Sequence, residues 1–148
     1  MTRPMKNVRL EIDRGVFIAD MYISVSIPGH PTGKEFRRGA MDTQSDLNLI
    51  PYGQLESLGI SDQELSDTNM VPVRIRTIGE GDSSIITPKG FVIIEWHMRG
   101  HSNITYRDKF YVLPSHLTTR FDCLIGQETI IREGFVLRNH ELLCMNRV

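Results

Sequence analysis

Apolar and polar residues alternate along most of this chain. Near the N-terminus, Val8, Leu10 and Ile12 are separated by charged or amide side chains, and the same alternation returns over 21–27. A period of two residues is typical of a strand with one buried face. On the same grounds, or because they are short apolar runs, we predict further strands over 36–41, 71–76, 91–98, 104–106 and 110–113. The pattern therefore predicts a mostly β protein.

Two short segments have the beginning and the end expected of helices. Segment 51–58 starts with Pro51 and stops before Gly59. Pro is favoured at the first helical position, and Gly is favoured just after the last one. Segment 127–132 is the second candidate and is followed closely by Gly134. No other segment of the sequence looks helical.

The C-terminal part of the chain predicts a hairpin. Apolar residues over 135–137 and 142–145 flank the polar segment 138–141. The polar segment 61–69 is predicted to be a surface loop. Many short strands at roughly even spacing, with one or two short helices, are typical of a β-barrel or a sandwich.

Length and charge narrow the range of functions. The 148 residues fit one domain over 1–148, and 17 basic against 18 acidic residues give a net charge of −1. Because a nucleic-acid-binding domain carries a basic excess, we expect no nucleic-acid partner. No apolar run approaches the roughly 18 residues of a membrane span, so we expect no membrane association. Because the N-terminus lacks the apolar region of a signal peptide, we expect an intracellular, cytoplasmic chain, alone or as a domain of a larger protein or polyprotein.

Metal and nucleophile chemistry have little support in the sequence. His97 and His101 are four residues apart, but in a strand-like stretch that spacing is about 13 Å, too far for one ion. The chain has two Cys and no Cys-x-x-Cys pair. Cys123 precedes Leu124 and Ile125, an apolar setting that favours an inert buried thiol. We therefore predict no metal site and no cofactor.

The most informative stretch of the sequence is 39–50. An apolar strand runs into Asp42 and Thr43, small and polar residues follow, and an apolar run leads to Pro51 and its predicted helix. A carboxylate at the end of a strand can be held rigidly in a cleft. An ordinary turn stays open as an alternative, because clusters of Asp, Thr and Ser are common in turns.

A later segment, 121–128, favours the first interpretation. Here Asp122 is followed by three apolar residues and then by Gly126, at the start of the second predicted helix. Together with Asp42-Thr43, this order resembles the retropepsin-like aspartic peptidases, which include retroviral and retrotransposon proteases and their cellular relatives. The family pattern is apolar-Asp-Thr/Ser-Gly-Ala/Ser, a short helix, a flap hairpin, and a late apolar-apolar-Gly.

The resemblance extends over nearly the whole chain, 8–145, with segment 75–86 in the place of the flap. It implies an all-β, single-lobe closed barrel, the acid protease fold, and an aspartic endopeptidase in which Asp42 is catalytic. The other residues that it implies are catalytic-loop support from Thr43, Gln44 and Ser45, and substrate binding by Asp46, Ile78, Gly79, Gly81 and Leu124.

A single lobe with one Asp-Thr motif implies a homodimer. In aspartic peptidase chemistry two carboxylates about 3 Å apart share one proton, because both cannot be ionised at that distance. One chain supplies one Asp42, so the resemblance implies that a second copy supplies the other. The implied substrate is a polypeptide in extended conformation.

Gln44 departs from the family pattern, which has Gly at this position. Gly lets the loop pack tightly, whereas Gln adds a side chain and loses backbone freedom. Two alternatives therefore stay open beside the active peptidase. One is a catalytically impaired domain that keeps the fold for dimerisation or peptide binding. The other is an unrelated small β-barrel in which Asp42-Thr43 is a chance match.

Overall fold

The architecture is mostly β, as the alternation predicts. The computed structural model describes residues 6–9, 11–13, 16–29, 31–43, 45–66, 71–76, 83–114, 121–138 and 141–144. Within these residues the strands are β1 (Lys6–Arg9), β2 (Glu11–Asp13), β3 (Val16–Ser26), β4 (Glu35–Met41), β5 (Leu49–Pro51), β6 (Val73–Arg76), β7 (Ser83–Ile86), β8 (Phe91–Met98), β9 (Tyr106–Leu113), β10 (Cys123–Ile125), β11 (Phe135–Arg138) and β12 (Glu141–Cys144). The α-helices are α1 (Tyr52–Glu56) and α2 (Gln127–Glu133).

Six strands close into a barrel. Their order is β3–β4–β10–β5–β9–β8, and β8 pairs back onto β3. The closure depends on the length of β3, which has 11 residues and pairs with β4 along one edge. Along its other edge β3 pairs first with β2 and then with β8. These pairings confirm the predicted all-β closed barrel with short helices.

The alternation along the strands fills the interior of the barrel. On β3, Met21, Ile23 and Val25 are each 0% exposed, and the residues between them are half-buried. Trp96 of β8 and Tyr106 of β9 are buried in the same core and stack with their ring centroids 4.6 Å apart. Burial of such side chains is the main favourable term in folding, so the period of two is what specifies the barrel.

A second apolar cluster covers the opposite face of the central strands. We call it the outer cluster, and its buried members are Ile18, Ala40, Leu49, Leu113, Phe121 and Leu124. The half-buried side chains of Val73 on β6 and Ile86 on β7 pack against it. Because both faces of β10 are covered, its three residues are all buried, and the strand is a continuous apolar run rather than an alternating one.

Helix α1 is shorter than the predicted segment 51–58. Pro51 is extended, with φ −64° and ψ 143°, and pairs with Leu113 of β9. The prediction that Pro51 is the first helical residue is wrong, because the pairing with β9 keeps it extended. The helix also ends earlier than predicted, at Glu56, and the turn that follows contains Gly59 at φ +79° and a hydrogen bond from the Ile60 N–H to the Leu55 carbonyl at 3.0 Å.

The second helix and the C-terminal hairpin are confirmed. Helix α2 ends at Gly134, which has φ +69°. Strand β11 pairs antiparallel with β12, and β12 also pairs with β1. The predicted segment 110–113 belongs to strand β9, whereas only Tyr106 of the predicted segment 104–106 does.

The predicted loop over 61–69 is wrong for its described part. Residues Asp62–Glu64 form a short 3₁₀ helix, closed by a capping box between Ser61 and Glu64. Residues 67–69 lie outside the described residues. In the part of the chain that the structure describes, no helix is long and apolar enough to cross a membrane.

Candidate active site

Asp42 lies immediately after β4, and its side chain is 8% exposed. Its N–H donates to the Ile125 carbonyl of β10 at 2.9 Å. Its own carbonyl accepts the N–H of Ser45 at 3.2 Å. The backbone of Asp42 is therefore held on one side by β10 and on the other by the turn that follows, which fixes the point from which its side chain starts.

The order of the strands explains why Asp42 meets Ile125. Strand β10 lies between β4 and β5, with Ile125 opposite Met41 in a parallel pair and Leu124 opposite Leu49 in an antiparallel pair. Strands β4 and β5 are consecutive in the chain but are not neighbours in the sheet. The segment between them, of which the structure describes 42–43 and 45–48, must therefore cross the end of β10. We call this segment the crossing.

The crossing is in close contact with the backbone of 125–128. Four hydrogen bonds in succession join them: Asp42 N–H to the Ile125 carbonyl, Gly126 N–H to Asn48 Oδ1, Gln127 N–H to the Ser45 carbonyl and Glu128 N–H to the Asp46 carbonyl. A Cβ on Gly126 would lie 2.4 Å from the Leu47 carbonyl oxygen and 2.6 Å from that of Ser45. Gly126 has φ −99°, so the missing side chain, rather than unusual backbone freedom, is what this approach requires.

The predicted residues of the catalytic loop lie around this contact. Ser45 is 1% exposed, and its Oγ donates to the Leu47 carbonyl at 2.7 Å, so it stabilises the crossing from within. The side chains of Thr43 and Asp46 are exposed. Gln44 lies outside the described residues.

Leu124 is buried in the outer cluster, with 1% of its surface exposed. Its predicted part in substrate binding stays a prediction, as do that of Asp46 in substrate binding and that of Thr43 in supporting the catalytic loop. The contact that the structure gives to Leu124 is with the neighbouring strands, since it pairs with Ala40 on β4 and Leu49 on β5. It thereby helps to hold β10 between the two strands that carry the crossing.

A two-stranded hairpin occupies the predicted flap segment. β6 and β7 pair antiparallel, from Val73 opposite Ile86 to Arg76 opposite Ser83. Because Val73 and Ile86 pack against the outer cluster, the base of the hairpin is fixed to the barrel wall next to β10. The predicted substrate-binding residues Ile78, Gly79 and Gly81 lie outside the described residues.

Asn48 ends the crossing and is a functional candidate that the sequence interpretation missed. It is 1% exposed, and its Nδ2 donates to Thr129 Oγ1 at 2.7 Å and to the Lys109 carbonyl at 3.2 Å. Thr129, on α2, is 0% exposed. The signal in the sequence is a single amide between Leu47 and Leu49, since a polar residue inside an apolar run needs partners when it is buried.

A second buried polar group, Asp108 on β9, holds the other end of α2. Its Oδ2 accepts the Trp96 indole N–H at 2.8 Å, and its Oδ1 accepts from Arg132 of α2. Partial burial acts to lower the pKa of Arg132, but the hydrogen bonds and ion pairs with Asp108 and Glu133 together outweigh it, and the pKa is raised. Trp96, Asp108 and Arg132 thus form one network between the barrel core and the helix.

The remaining titratable groups favour no other chemistry. The buried, unbridged position predicted for Cys123 is confirmed, and burial, with a smaller contribution from Asp122, raises the pKa of its thiol to about 12. His97 is buried and stacks on Tyr22, and burial lowers its pKa. Among the described residues no group of three or more His, Cys, Asp or Glu side chains could hold a metal ion.

Comparisons with known proteins identify the fold. No family model and no curated protein matches the sequence. A crystal structure of a retropepsin-like aspartic protease from Rickettsia conorii is 15% identical, with a TM-score of 0.55, over 99% of this chain and 94% of that one. The retroviral protease-like domain of Ddi1 from Leishmania major is 14% identical, with a TM-score of 0.45, over 87% of this chain and 95% of that one. At such identity the first likeness is one of fold, and the chain therefore has a retropepsin-like closed β-barrel.

Proposed function

We propose that the chain is an aspartic endopeptidase that hydrolyses peptide bonds with a water activated between two Asp42 carboxylates of a homodimer. The observation that supports this best is the position of Asp42 at the start of the crossing. There Asp42, at 8% exposure, has its backbone N–H bound by β10, in a barrel similar in fold to a retropepsin-like aspartic protease. The proposal treats 1–148 as one protease domain.

The mechanism needs a second carboxylate, which a second copy of the chain supplies. With one proton shared between the two groups, the ionised Asp42 takes a proton from the water as it attacks the scissile carbonyl carbon. The protonated Asp42 of the other copy donates to the carbonyl oxygen. The proposed substrate is an extended polypeptide that pairs through its main chain with the flap hairpin and with the crossing, where Asp46 is exposed.

A second function is favoured by one sequence observation. Gln44 stands where the family pattern has Gly, two residues after Asp42. In this alternative the chain keeps the barrel and the dimer but binds peptides without cleaving them, because the Gln side chain occupies space that the water or the substrate needs.

The test is hydrolysis of an unstructured polypeptide across pH 3–7 by the full chain. We expect cleavage that is blocked by a statine-type transition-state mimic and abolished by Asp42→Asn. The matched control is Glu95→Gln, an isosteric change at an exposed position on the barrel wall, which should cleave like the wild type. Sedimentation should show a dimer.

Cleavage by Gln44→Gly combined with none by the wild type would establish the impaired alternative. Cleavage by Asp42→Asn would exclude both the peptidase that uses Asp42 and the alternative that binds peptides without cleaving them. A chain that stays monomeric at high concentration and cleaves would exclude the shared dyad.

A further inference from the structure

Asn48 provides the side-chain part of the contact between the crossing and 125–128. The other three hydrogen bonds of that contact join backbone atoms, whereas the N–H of Gly126 donates to Asn48 Oδ1 at 2.8 Å. Backbone hydrogen bonds are available to almost any sequence. The identity of residue 48 is therefore where the sequence can control how firmly the crossing is held.

The partners of Asn48 determine how its amide is oriented. A backbone N–H can only donate, so Gly126 requires the oxygen, and a carbonyl can only accept, so Lys109 requires the nitrogen. The Thr129 hydroxyl accepts from the same nitrogen at 2.7 Å. A flipped amide would place donor against donor and acceptor against acceptor. At 1% exposure, bulk water is not at hand to satisfy these groups instead.

No residue of similar shape makes the same contacts. An ionised Asp at position 48 would bury a charge and turn an oxygen toward the Lys109 carbonyl. A Leu would leave the N–H of Gly126 and the hydroxyl of Thr129 buried without this partner, which costs more than the hydrogen bonds themselves contribute. The site is thus matched to a neutral amide.

We propose that Asn48 is a positioning residue for Asp42. By holding Gly126, its amide fixes the Ile125 carbonyl one residue earlier, and that carbonyl accepts the N–H of Asp42 at 2.9 Å. By holding Thr129, it joins helix α2 to the same point. Asn48 acts through the backbone and does not touch substrate. The inference rests on the proposed function only in taking Asp42 as the catalytic residue.

The first test needs no enzymatic activity. Native-state hydrogen exchange measures how often individual amides open. In Asn48→Leu we expect the amides of Asp42, Gly126, Gln127 and Glu128 to exchange about 10-fold faster relative to amides in the barrel core, since their local opening is no longer opposed by the Asn48 contacts. The matched control is Ile94→Val, which forms a cavity at a residue that is 0% exposed in the barrel core. It should speed exchange at the four amides and at the core amides by a similar factor.

An increase in Asn48→Leu that is no larger at these four amides than in the barrel core would overturn the proposal. If Asn48→Leu does not fold, Thr129→Val decides, because it keeps the shape of the side chain and removes one hydroxyl. We expect a smaller increase confined to the same amides. An unchanged pattern, or one spread evenly over the barrel, would again overturn the proposal.

The second test concerns turnover, and its reference is the wild type at each pH. We expect Asn48→Leu to lower kcat about 10-fold with little change in KM, because the Asp42 carboxyl is displaced while the substrate-binding surfaces are kept. Asn48→Asp should recover toward wild-type kcat in acid. There its protonated carboxyl has both an acceptor and a donor, and burial favours that neutral form.

The two tests separate the inference from the proposed function. A wild type that cleaves nothing contradicts the peptidase, while hydrogen exchange still decides whether Asn48 holds the crossing. Faster exchange at the four amides together with an unchanged kcat in Asn48→Leu would show that Asn48 holds the loop without positioning Asp42 for catalysis, and would overturn the proposal.

Discussion

Helix α2 is fastened to the barrel at both ends, and the two attachments differ in chemistry. At its N-terminal end the neutral amide of Asn48 binds Gly126 and Thr129. Near its C-terminal end the carboxylate of Asp108 binds Arg132. Asn48 is 1% exposed and Asp108 is 4% exposed, so burial does not distinguish them. The two attachments differ in charge. The charged one is at the C-terminal end of α2, which is farther along the helix from Asp42.

The difference in charge indicates that the two attachments of α2 have different roles. A fixed charge beside Asp42 would act on its carboxyl group strongly, because charges interact more in protein than in water. A neutral amide can hold the same backbone without that field. The ionic attachment at Arg132 lies five residues beyond Gln127 along α2 and can strengthen the fold with less effect on the carboxyl group. We infer that the amide end determines geometry and the ionic end contributes mainly stability.

We expect the largest effect from a substitution that disrupts the attachment of α2 at its N-terminal end, where the Asn48 amide binds. Gly126→Ala places a Cβ 2.4 Å from the Leu47 carbonyl oxygen, so the crossing must move. We expect a loss of about 3 kcal/mol in the free energy of unfolding, at the upper end of the usual cost of overpacking. Urea denaturation measures it. The control is Gly53→Ala in α1, where an added Cβ meets nothing within 4 Å and should not destabilise.

Equal stability of the two Gly variants, with the exchange protection of Asp42 kept, would show that the crossing is not in contact with 125–128. Greater loss in Gly53→Ala would contradict the structure of α1 as well. A Gly126→Ala chain that keeps its stability but loses the exchange protection of Asp42 would indicate that the crossing opens without cost to the barrel.

We expect the next largest effect from a substitution that removes the ion pair near the C-terminal end of α2. Arg132→Met leaves the buried Asp108 carboxylate with the Trp96 indole as its remaining partner in this network, and we expect a loss of about 2–3 kcal/mol. Asp108→Asn keeps an acceptor for Trp96, and Arg132, whose side chain is 47% exposed, can turn to solvent. Its cost should be nearer 1 kcal/mol. Thermal or urea unfolding of both variants gives the order, and the reverse order would contradict a buried carboxylate that depends on Arg132.

The barrel and the location of Asp42 could be predicted because their signals are local. Alternation over 21–27 predicts the buried face of β3, whereas β10, an apolar run of three residues before Gly126, is not among the strands predicted from the pattern. The position of Asp42 follows from the apolar strand before it. One local signal was missed: Ser61 and Glu64 have the spacing of a capping box, which a loop prediction ignores.

The polar attachments could not be predicted because their partners are distant in sequence. Asn48 binds Gly126 across 78 positions and Thr129 across 81, and Asp108 binds Arg132 across 24. Asp108 stands between Arg107 and Lys109, so its neighbours favour an exposed charge. The antiparallel pairing of β8 with β9, which puts Asp108 opposite Ile94, brings it to the indole of Trp96.

A smaller effect concerns how the free energy of unfolding depends on pH in the acidic range used for the hydrolysis test. Burial lowers the pKa of His97 in the folded chain, so the unfolded chain binds a proton that the folded one does not. This contribution to stability is present above the unfolded pKa of about 6.5 and is lost as the pH falls through it toward the folded value. His97→Phe, which keeps a ring to stack on Tyr22, should have a flatter dependence of unfolding free energy on pH over that window. A dependence identical to that of the wild type would contradict the buried neutral imidazole.

The smallest effect is a difference in how the two ends of α2 respond to salt, measured by amide exchange in the wild-type chain. Between about 0.01 M and 1 M salt the Debye length falls from about 30 Å to about 3 Å, which weakens a half-exposed ion pair and leaves neutral hydrogen bonds unaffected. Since partly exposed pairs contribute at most about 1 kcal/mol, the amide of Gly134, after the last turn of α2, should exchange about 2-fold faster at high salt. The amide of Gly126 should not change. Arg132→Met should remove the salt dependence at Gly134, because the pair with Asp108 is gone. An equal response at both ends would mean that the helix is released as a unit, and that charge and amide do not have separate parts in holding it.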